Sequence, residues 1–230
     1  MGALIVIEGT DGSGKATQTQ LLAKRLTDME FPIHRLSFPC YESDSSALVK
    51  MYLNGSFGDD PNRINAFAAS SFYAVDRYAS FKTDWEKEYN AGKILISDRY
   101  TISNAIHQGV KLSKEKRRTY LDWLYDFEYK KLGIPAPDLI FYLDVPTDLT
   151  NKLRQQRESQ THTKPDIHET NVSYLAQCRK SALEIAEYSN WCVINCSDGQ
   201  QIRSVEDIND EIMSHLLKFL DKECIPSWKL

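Results

Sequence analysis

The chain has 230 residues, of which 42% are hydrophobic, 11% aromatic and 26% charged, and this composition excludes disordered chains, collagen-like repeats and disulfide-rich miniproteins. Its formal net charge of -4 provides no overall positive field, so we expect neither nucleic acid nor a membrane as a partner. The first apolar run, 3–7, ends at Glu8 and is too short for a signal peptide or a membrane span, which indicates a soluble, cytoplasmic protein.

Five short apolar runs predict strands that are buried on both faces of a sheet. Segments with helical spacing separate them, including one at 21–29 and one at 47–52. Strands that alternate with helices are typical of βαβ units. The sequence therefore predicts an α/β fold in three layers, with a five-stranded parallel sheet between two layers of helices. The predicted strands are 3–7, 33–38, 93–97, 138–145 and 191–195.

A longer periodic pattern, from Pro61 to Asn90, predicts one helix, because Pro61 suits a first turn and Gly92 follows the last one. A further helix is predicted to start after Ser113. The polar stretch around 158–166 has no apolar periodicity, so we expect a mobile lid at about 154–169. We expect the lid to be part of a single domain, 1–220, and residues 221–230 to form a C-terminal tail.

Five cysteines form an odd set, without a CxxC pair and without clustered histidines. This pattern favours thiols over a zinc site or a disulfide. The cysteines are Cys40, Cys178, Cys192, Cys196 and Cys224.

A glycine-rich motif follows the first predicted strand and leads into a helix. Its glycines allow the backbone to wrap a phosphate, and Lys15 is placed to reach the β and γ phosphates of a nucleotide. Ala16 stands where a P-loop offers Mg²⁺ a hydroxyl, and Thr17 comes one residue later. We expect the motif to bind ATP; the alternative is a structural turn. The motif is Gly9, Thr10, Asp11, Gly12, Ser13, Gly14, Lys15, Ala16 and Thr17.

Asp98 and Arg99 end the third predicted strand. The carboxyl ends of parallel strands face the ligand crevice, so both side chains are expected beside the P-loop. There Asp98 can hold hydrated Mg²⁺, and Arg99 can clamp phosphate oxygens. The alternative is an ion pair at the surface.

Together these motifs resemble those of thymidylate kinases, over about residues 3 to 220. The resemblance implies transfer of the γ-phosphoryl group of ATP to dTMP with Mg²⁺, and a homodimer. Phe67, Phe72 and Phe81 are candidates for the dimer contact, although a core role is an equal alternative. The matching segments are 8–15, Phe38-Pro39, Tyr73 to Arg77, 98–100, Ser103-Asn104, Gln108-Gly109 and 137–139.

The resemblance also assigns the acceptor site. Tyr73 and Arg77 lie four apart on one helix face, and the family pattern stacks the aromatic ring on thymine while the arginine donates to the base. The alternative is a core tyrosine and a solvated arginine. Further substrate contacts are expected from Asp11 to the sugar, from Arg99 to the phosphate, and from Phe38, Asn104 and Gln108 around the base.

Two positions depart from the family pattern. Tyr41 stands where many relatives have an arginine that holds the monophosphate, and Gly12 where some have a catalytic arginine. Arg154 and Arg157, three apart at the start of the expected lid, are therefore candidates for catalytic cations. A basic helix end that complements the helix dipole is the alternative.

Two other functions remain open at this point. One is a kinase for another deoxynucleotide or for a deoxynucleoside. The other is a non-catalytic nucleotide-binding module, since Ala16 and Tyr41 remove two expected contacts.

Overall fold

The fold was obtained as a computed structural model that describes residues 1–58, 60–151, 153 and 172–222. Five strands form one parallel sheet in the order β2-β3-β1-β4-β5. Every predicted strand is present, with each boundary within two residues of its expected position, and the predicted fold class is confirmed. The strands are β1 Ala3–Gly9, β2 Ile33–Ser37, β3 Ile94–Asp98, β4 Leu139–Asp144 and β5 Cys192–Asn195.

The central strand β1 is buried along its whole length. Its apolar side chains pack on both faces of the sheet, which explains why the sequence shows a continuous run rather than an alternation. Ile7 pairs with Asp98 of β3, so the two strands end side by side. The residues that follow β1 and β3 therefore meet at one edge of the sheet.

Helices cover both faces of the sheet, as predicted. The helices are α1 Lys15–Asp28, α2 Ala47–Leu53, α3 Ala66–Ser80, α4 Glu86–Asn90, α5 Thr101–His107, α6 Lys114–Tyr125, α7 Val172–Ser189 and α8 Val205–Lys222. On one face α1 packs over β1, and α8 packs over β4 and β5, through residues such as Leu22, Leu26 and Ile212, all fully buried. The other face is covered by α5, α6 and α7, and by α3 and its continuation.

The helix predicted from Pro61 to Asn90 starts later than expected. A 3₁₀ turn occupies Pro61–Arg63, and Asn65 then has an extended backbone and accepts a hydrogen bond from the Ala68 amide through Oδ1 at 2.9 Å. Because Asn65 caps α3, the helix begins at Ala66. A π-helical turn, Phe81–Trp85, joins α3 to α4, which ends at Asn90 as predicted.

Two other boundaries bear on the site. The helix predicted after Ser113 is present as α6, and it continues into a π-helical turn, Asp126–Lys131. At the C-terminus, α8 reaches Lys222, two residues into the expected tail, and 223–230 lies outside the described residues. The expected lid, 154–169, also lies outside them.

Within the described ranges, none of the helices has both the length and the apolar character needed to cross a bilayer. The cysteines in those ranges, Cys40, Cys178, Cys192 and Cys196, are all free thiols. The same ranges contain no group of three or more His, Cys, Asp or Glu side chains that could hold a metal ion.

Candidate active site

The P-loop lies between β1 and α1 and opens into a cleft of about 400 Å³. Gly12 and Gly14 have φ angles of 83° and 86°, in the left-handed region that side chains disfavour. The Ser13 amide donates to the Thr10 carbonyl at 3.1 Å, which closes the turn. We call this recess the P-loop cleft; it is lined by Asp11, Gly12, Gly14, Lys15, Ala16, Thr17, Ser37, Phe38, Pro39, Tyr41, Asp98, Arg99 and Leu153.

Lys15 lies buried at the base of the P-loop. Its Nζ donates to the carbonyl oxygens of Gly9 and Thr10, each at 2.9 Å. Burial, reinforced by the positive charge of Arg99, lowers the pKa of Lys15 to about 8. A phosphate that binds near Nζ would stabilise the ammonium charge in place of the water that burial excludes, so the position is suited to an anionic ligand.

Arg99 follows β3 at the junction of the P-loop cleft with the second recess described below. Its Nη2 forms an ion pair with Asp11 Oδ1, and its Nη1 lies 3.4 Å from Ser103 Oγ. Burial opposes the guanidinium charge, but the carboxylates of Asp11 and Glu8 outweigh it and raise the pKa of Arg99. Arg99 is therefore a permanent cation, as its predicted phosphate contact requires.

Glu8 is fully buried below the P-loop. Its Oε1 accepts from the Tyr100 amide at 3.0 Å and from Ser103 Oγ at 2.8 Å. Burial raises the pKa of Glu8, although Arg99 and Lys15 act in the opposite direction. The carboxyl group thus ties the turn that carries Arg99 to the end of β1.

Asp98 has the properties of a cation ligand. Its side chain lines the P-loop cleft, and its Oδ1 is buried without a hydrogen-bond partner in the described part of the chain. A buried carboxylate oxygen without a donor is well suited to a hard divalent cation such as Mg²⁺. Ala16 and Thr17 line the same cleft, so the residues present are compatible with the metal.

A second recess lies between α3 and α5, next to the P-loop cleft. Phe38 and Tyr100 form part of its wall, with ring centroids 5.7 Å apart, and Tyr73 meets Tyr52 edge to face. We call it the aromatic cavity; it is lined by Asp11, Phe38, Pro39, Tyr41, Leu53, Tyr73, Arg77, Arg99, Tyr100, Ser103, Asn104, His107 and Gln108. All of the predicted substrate residues therefore lie around one recess.

Arg77 differs from the solvated arginine that the sequence left as an alternative. It is 1% exposed, and its Nε and Nη2 donate to the two carboxylate oxygens of Glu128 at 2.7 and 2.6 Å. The guanidinium is thus held by a buried ion pair at the edge of the cavity. Only part of it is left to face a ligand.

Asn104 and Gln108 project from α5 and from the residue that follows it. Asn104 Nδ2 donates to the Ser70 carbonyl at 3.2 Å and lies 3.4 Å from Glu128 Oε1. Gln108 is 1% exposed, and its Oε1 has no hydrogen-bond partner among the described residues. Both residues line the aromatic cavity, as their spacing of four predicts.

Tyr41, which replaces an arginine of the family pattern, lines both recesses and is 50% exposed. The loop that carries it is fixed by Asp76 of α3, which accepts from the Cys40 amide at 2.8 Å and from Ser45 Oγ at 2.6 Å. The phenol therefore lies where the two recesses adjoin.

Gly12 packs against the helical segment that begins after β4, at 147–151. A Cβ atom at position 12 would lie 2.7 Å from the Thr150 carbonyl oxygen. The P-loop therefore has no room for a side chain here. Arg154 and Arg157, the predicted replacements for a catalytic arginine, lie outside the described residues.

Three important side chains were not predicted. Glu128 lies in a charged stretch that resembles a solvated helix surface, and Asp76 lies in the matching segment Tyr73 to Arg77 but has no role assigned from the sequence. Lys111 donates to Tyr52 Oη at 2.9 Å and to the Ile64 carbonyl at 3.0 Å. Their partners are distant in sequence, so only the fold reveals these contacts.

Comparisons with known proteins agree with this geometry. A family model described as thymidylate kinase matches residues 7–212. The chain is 28% identical to a probable thymidylate kinase of Thermococcus gammatolerans over 216 residues, which cover 93% of this chain and 95% of that protein. It is 28% identical to a thymidylate kinase of Mycobacterium tuberculosis over 67% of this chain and 71% of that protein. It is 26% identical to a thymidylate kinase of Arabidopsis thaliana over 97% of this chain and 73% of that protein.

Proposed function

The chain belongs to the thymidylate kinase family. From this premise we propose that it transfers the γ-phosphoryl group of ATP to dTMP, with one substrate bound in each of the two recesses. The observation that carries the assignment is that the P-loop cleft and the aromatic cavity are adjacent and share five lining residues, Asp11, Phe38, Pro39, Tyr41 and Arg99. A donor in one recess and an acceptor in the other would meet at Arg99. Phosphoryl transfer needs such a meeting point.

The reaction is an in-line displacement. An oxygen of the acceptor monophosphate forms a bond to the γ-phosphorus, while the bond from that phosphorus to the β,γ-bridging oxygen breaks, which gives dTDP and ADP. The attacking oxygen is already anionic, so the reaction needs no strong general base. Catalysis then depends on positioning and on positive charge, which Lys15 and Arg99 supply.

Substrate binding rearranges two contacts. Lys15 exchanges the carbonyls of Gly9 and Thr10 for the β and γ phosphates of ATP. Arg99 exchanges part of its ion pair with Asp11 for the acceptor phosphate, and Asp11 becomes available to the sugar. The raised pKa of Arg99 supports this role, because the guanidinium keeps its charge throughout.

The aromatic cavity would hold the base. Tyr73 provides a flat apolar surface for thymine, with Phe38 as a further wall. Arg77 donates to a base carbonyl, and Asn104 and Gln108 complete the contacts.

Mg²⁺ fits the P-loop cleft. Asp98 would hold it directly or through water, while Ala16 leaves one position to a water molecule and Thr17 is the competing ligand. When bound, the ion neutralises negative charge on the phosphate oxygens. The unpartnered Oδ1 of Asp98 is the observation that supports this assignment.

The lid arginines complete the proposed catalytic set. Arg154 and Arg157 would come over the transferred phosphoryl group when the lid, 154–169, closes. The contact of Gly12 with Thr150 supports a cation from outside the P-loop. Replacing both arginines by Ala should lower kcat more than it raises the KM for dTMP; a double variant with full kcat would remove them from the mechanism.

We also propose a homodimer and a cytoplasmic location. Exposed apolar side chains on α2 and α3, namely Leu48, Met51, Val75 and Tyr78, are 39% to 49% exposed and would be covered by a second copy. Of the rings considered from the sequence, Phe81 is in the core, while Phe67 is 40% exposed. Light scattering of wild type and Val75→Glu tests the dimer.

Free thiols suit a reducing compartment, which supports the proposed cytoplasmic location.

The decisive experiment is an ADP-release assay with ATP, Mg²⁺ and a panel of monophosphates and nucleosides. We expect dTMP to be the best acceptor. Preference for a nucleoside or for another monophosphate would indicate the alternative kinase. Nucleotide binding without ADP formation would indicate a binding module and refute the proposal.

A further inference from the structure

Glu128 is a buried carboxylate that the proposed mechanism does not use directly. It lies on the π-helical turn Asp126–Lys131 and is 0% exposed. Its Oε2 accepts from Arg77 Nε and from Thr101 Oγ1, each at 2.7 Å, and its Oε1 accepts from Arg77 Nη2 at 2.6 Å. Asn104 Nδ2 lies 3.4 Å from the same Oε1. The carboxylate thus faces donors from two helices, α3 and α5.

These contacts determine which way the Asn104 amide points. Its nitrogen faces the Ser70 carbonyl and the Glu128 carboxylate, and both of these groups only accept hydrogen bonds. The reverse orientation would set the amide oxygen against two acceptors. The Oδ1 of Asn104 therefore remains available, and no described residue donates to it. Because Asn104 lines the aromatic cavity, this oxygen is an acceptor for a bound base.

The same carboxylate determines which nitrogen of Arg77 is available. Glu128 occupies one edge of the guanidinium, formed by Nε and Nη2. Nη1 has no acceptor among the residues that the structure describes. Arg77 also lines the aromatic cavity, so Nη1 is the donor left for a ligand.

We propose that Glu128 sets the order of donor and acceptor that the cavity presents to the base, and so selects a 4-oxopyrimidine over a 4-aminopyrimidine. This inference rests on the proposed function and deepens it. A 4-oxopyrimidine such as thymine accepts at O4 and donates from N3, which matches a donor from Arg77 and an acceptor from Asn104. Cytosine donates from N4 and accepts at N3. The N4 donor of cytosine would therefore face the Arg77 donor, and its N3 acceptor would face the Asn104 acceptor.

Glu128 is a positioning residue in this scheme, because it acts through Arg77 and Asn104 without touching the base. An ionised carboxylate can only accept, and it is therefore the group that satisfies donors from both neighbours. A glutamine would present its own N–H groups to one of them. Asn104 could then turn its amide over, which would offer cytosine a donor.

The test compares dTMP with 5-methyl-dCMP and with dUMP. dTMP and 5-methyl-dCMP share the methyl group and differ in the hydrogen-bonding edge of the base. dTMP and dUMP share that edge and differ in the methyl group. Glu128→Gln should lower the kcat/KM ratio of dTMP over 5-methyl-dCMP by about tenfold or more, the effect of removing one discriminating hydrogen bond. The ratio of dTMP over dUMP should stay within about twofold. General loosening of the cavity would change both ratios.

Two variants serve as controls. Glu184→Gln removes a carboxylate that pairs with Arg117 at 3.2 Å near the surface, and it should leave both ratios unchanged. Glu128→Asp keeps the acceptor-only character and should retain most of the preference for dTMP over 5-methyl-dCMP. If Glu128→Gln leaves the kcat/KM ratio of dTMP over 5-methyl-dCMP unchanged, the proposal is overturned.

Arg77→Lys provides a second test that keeps the charge opposite Glu128 if Glu128→Gln fails to fold. Lysine has one nitrogen, and the buried carboxylate should take it, so the edge preference should be lost. A lysine variant that keeps the wild-type ratio would show that Glu128 does not direct the donor. Wild type that phosphorylates no pyrimidine monophosphate would refute the proposed function. Wild type that prefers dTMP while Glu128→Gln keeps its ratio, or Arg77→Lys keeps it where Glu128→Gln does not fold, would refute this inference alone.

Discussion

Replacing Arg77 by Ala is expected to affect folding as much as substrate choice. The side chains of Arg77 and Glu128 are 2% and 0% exposed and are joined by two hydrogen bonds. Removing one partner of such a buried pair leaves the other charge without compensation and costs about 3 to 5 kcal/mol. Thr101 and Asn104 remain as donors to Glu128, but neither carries a charge. A domain of ordinary stability, about 5 to 15 kcal/mol, would lose roughly a third of it.

Urea unfolding followed by tryptophan fluorescence measures this loss, since Trp85 and Trp191 are buried. Arg117→Ala is the matched control, because its ion pair with Glu184 is partly exposed and contributes about 1 kcal/mol or less. The double variant Arg77→Met/Glu128→Leu removes both charges and should recover most of the loss. Equal effects of Arg77→Ala and Arg117→Ala, or a double variant no more stable than Arg77→Ala, would refute the reasoning.

Other predictions concern the phosphate side of the site and the half-buried Lys111. Because Lys15 has a pKa of about 8 that bound phosphate should raise, ATP binding at pH 8 to 9 should take up protons. Calorimetry in buffers of different ionisation enthalpy detects this uptake, which should vanish in Lys15→Met. A Lys15→Met variant that keeps full turnover would contradict the catalytic role of Lys15. In a Mg²⁺ titration Asp98→Asn should impair activity more than Ala16→Ser changes it, and the opposite order would remove Asp98 as the metal ligand. Burial lowers the pKa of Lys111 from 10.5 to about 8. The folded state therefore binds fewer protons than the unfolded state between these values, and the unfolding free energy of wild type relative to Lys111→Met should rise from pH 8 to 10; a flat difference would contradict this.

The sheet and the P-loop could be predicted because their signals are local. A strand buried on both faces appears as a continuous apolar run, and all five runs became strands. The beginning of α3 could not be placed, because Asp60 and Asn65 both have side chains that cap a helical turn. In the structure the cap at Asp60 starts only a 3₁₀ turn, and the cap at Asn65 starts the continuous helix.

The sequence indicated which of the described residues would lie around the two recesses, but it did not indicate the contacts between them. Parallel strands end at the same edge, so the sequence brings Asp98 and Arg99 to the P-loop. It gives no sign that Arg99 pairs with Asp11, or that Arg77 pairs with Glu128. Glu128 lies in the segment DFEYKK, whose composition is typical of a solvated surface. Its buried position depends on tertiary packing that no local pattern records.

The close contact between Gly12 and the Thr150 carbonyl also limits how this chain can diverge. An arginine at position 12 is a single-residue change on paper, yet its Cβ would overlap a backbone atom that cannot rotate away, and its φ would stay near 83°. Such a substitution becomes acceptable only after the segment at 147–151 has moved. An arginine at position 12 therefore depends on two neighbouring segments that must change together, and engineering a cation into this P-loop requires redesign of the segment at 147–151 as well as the loop.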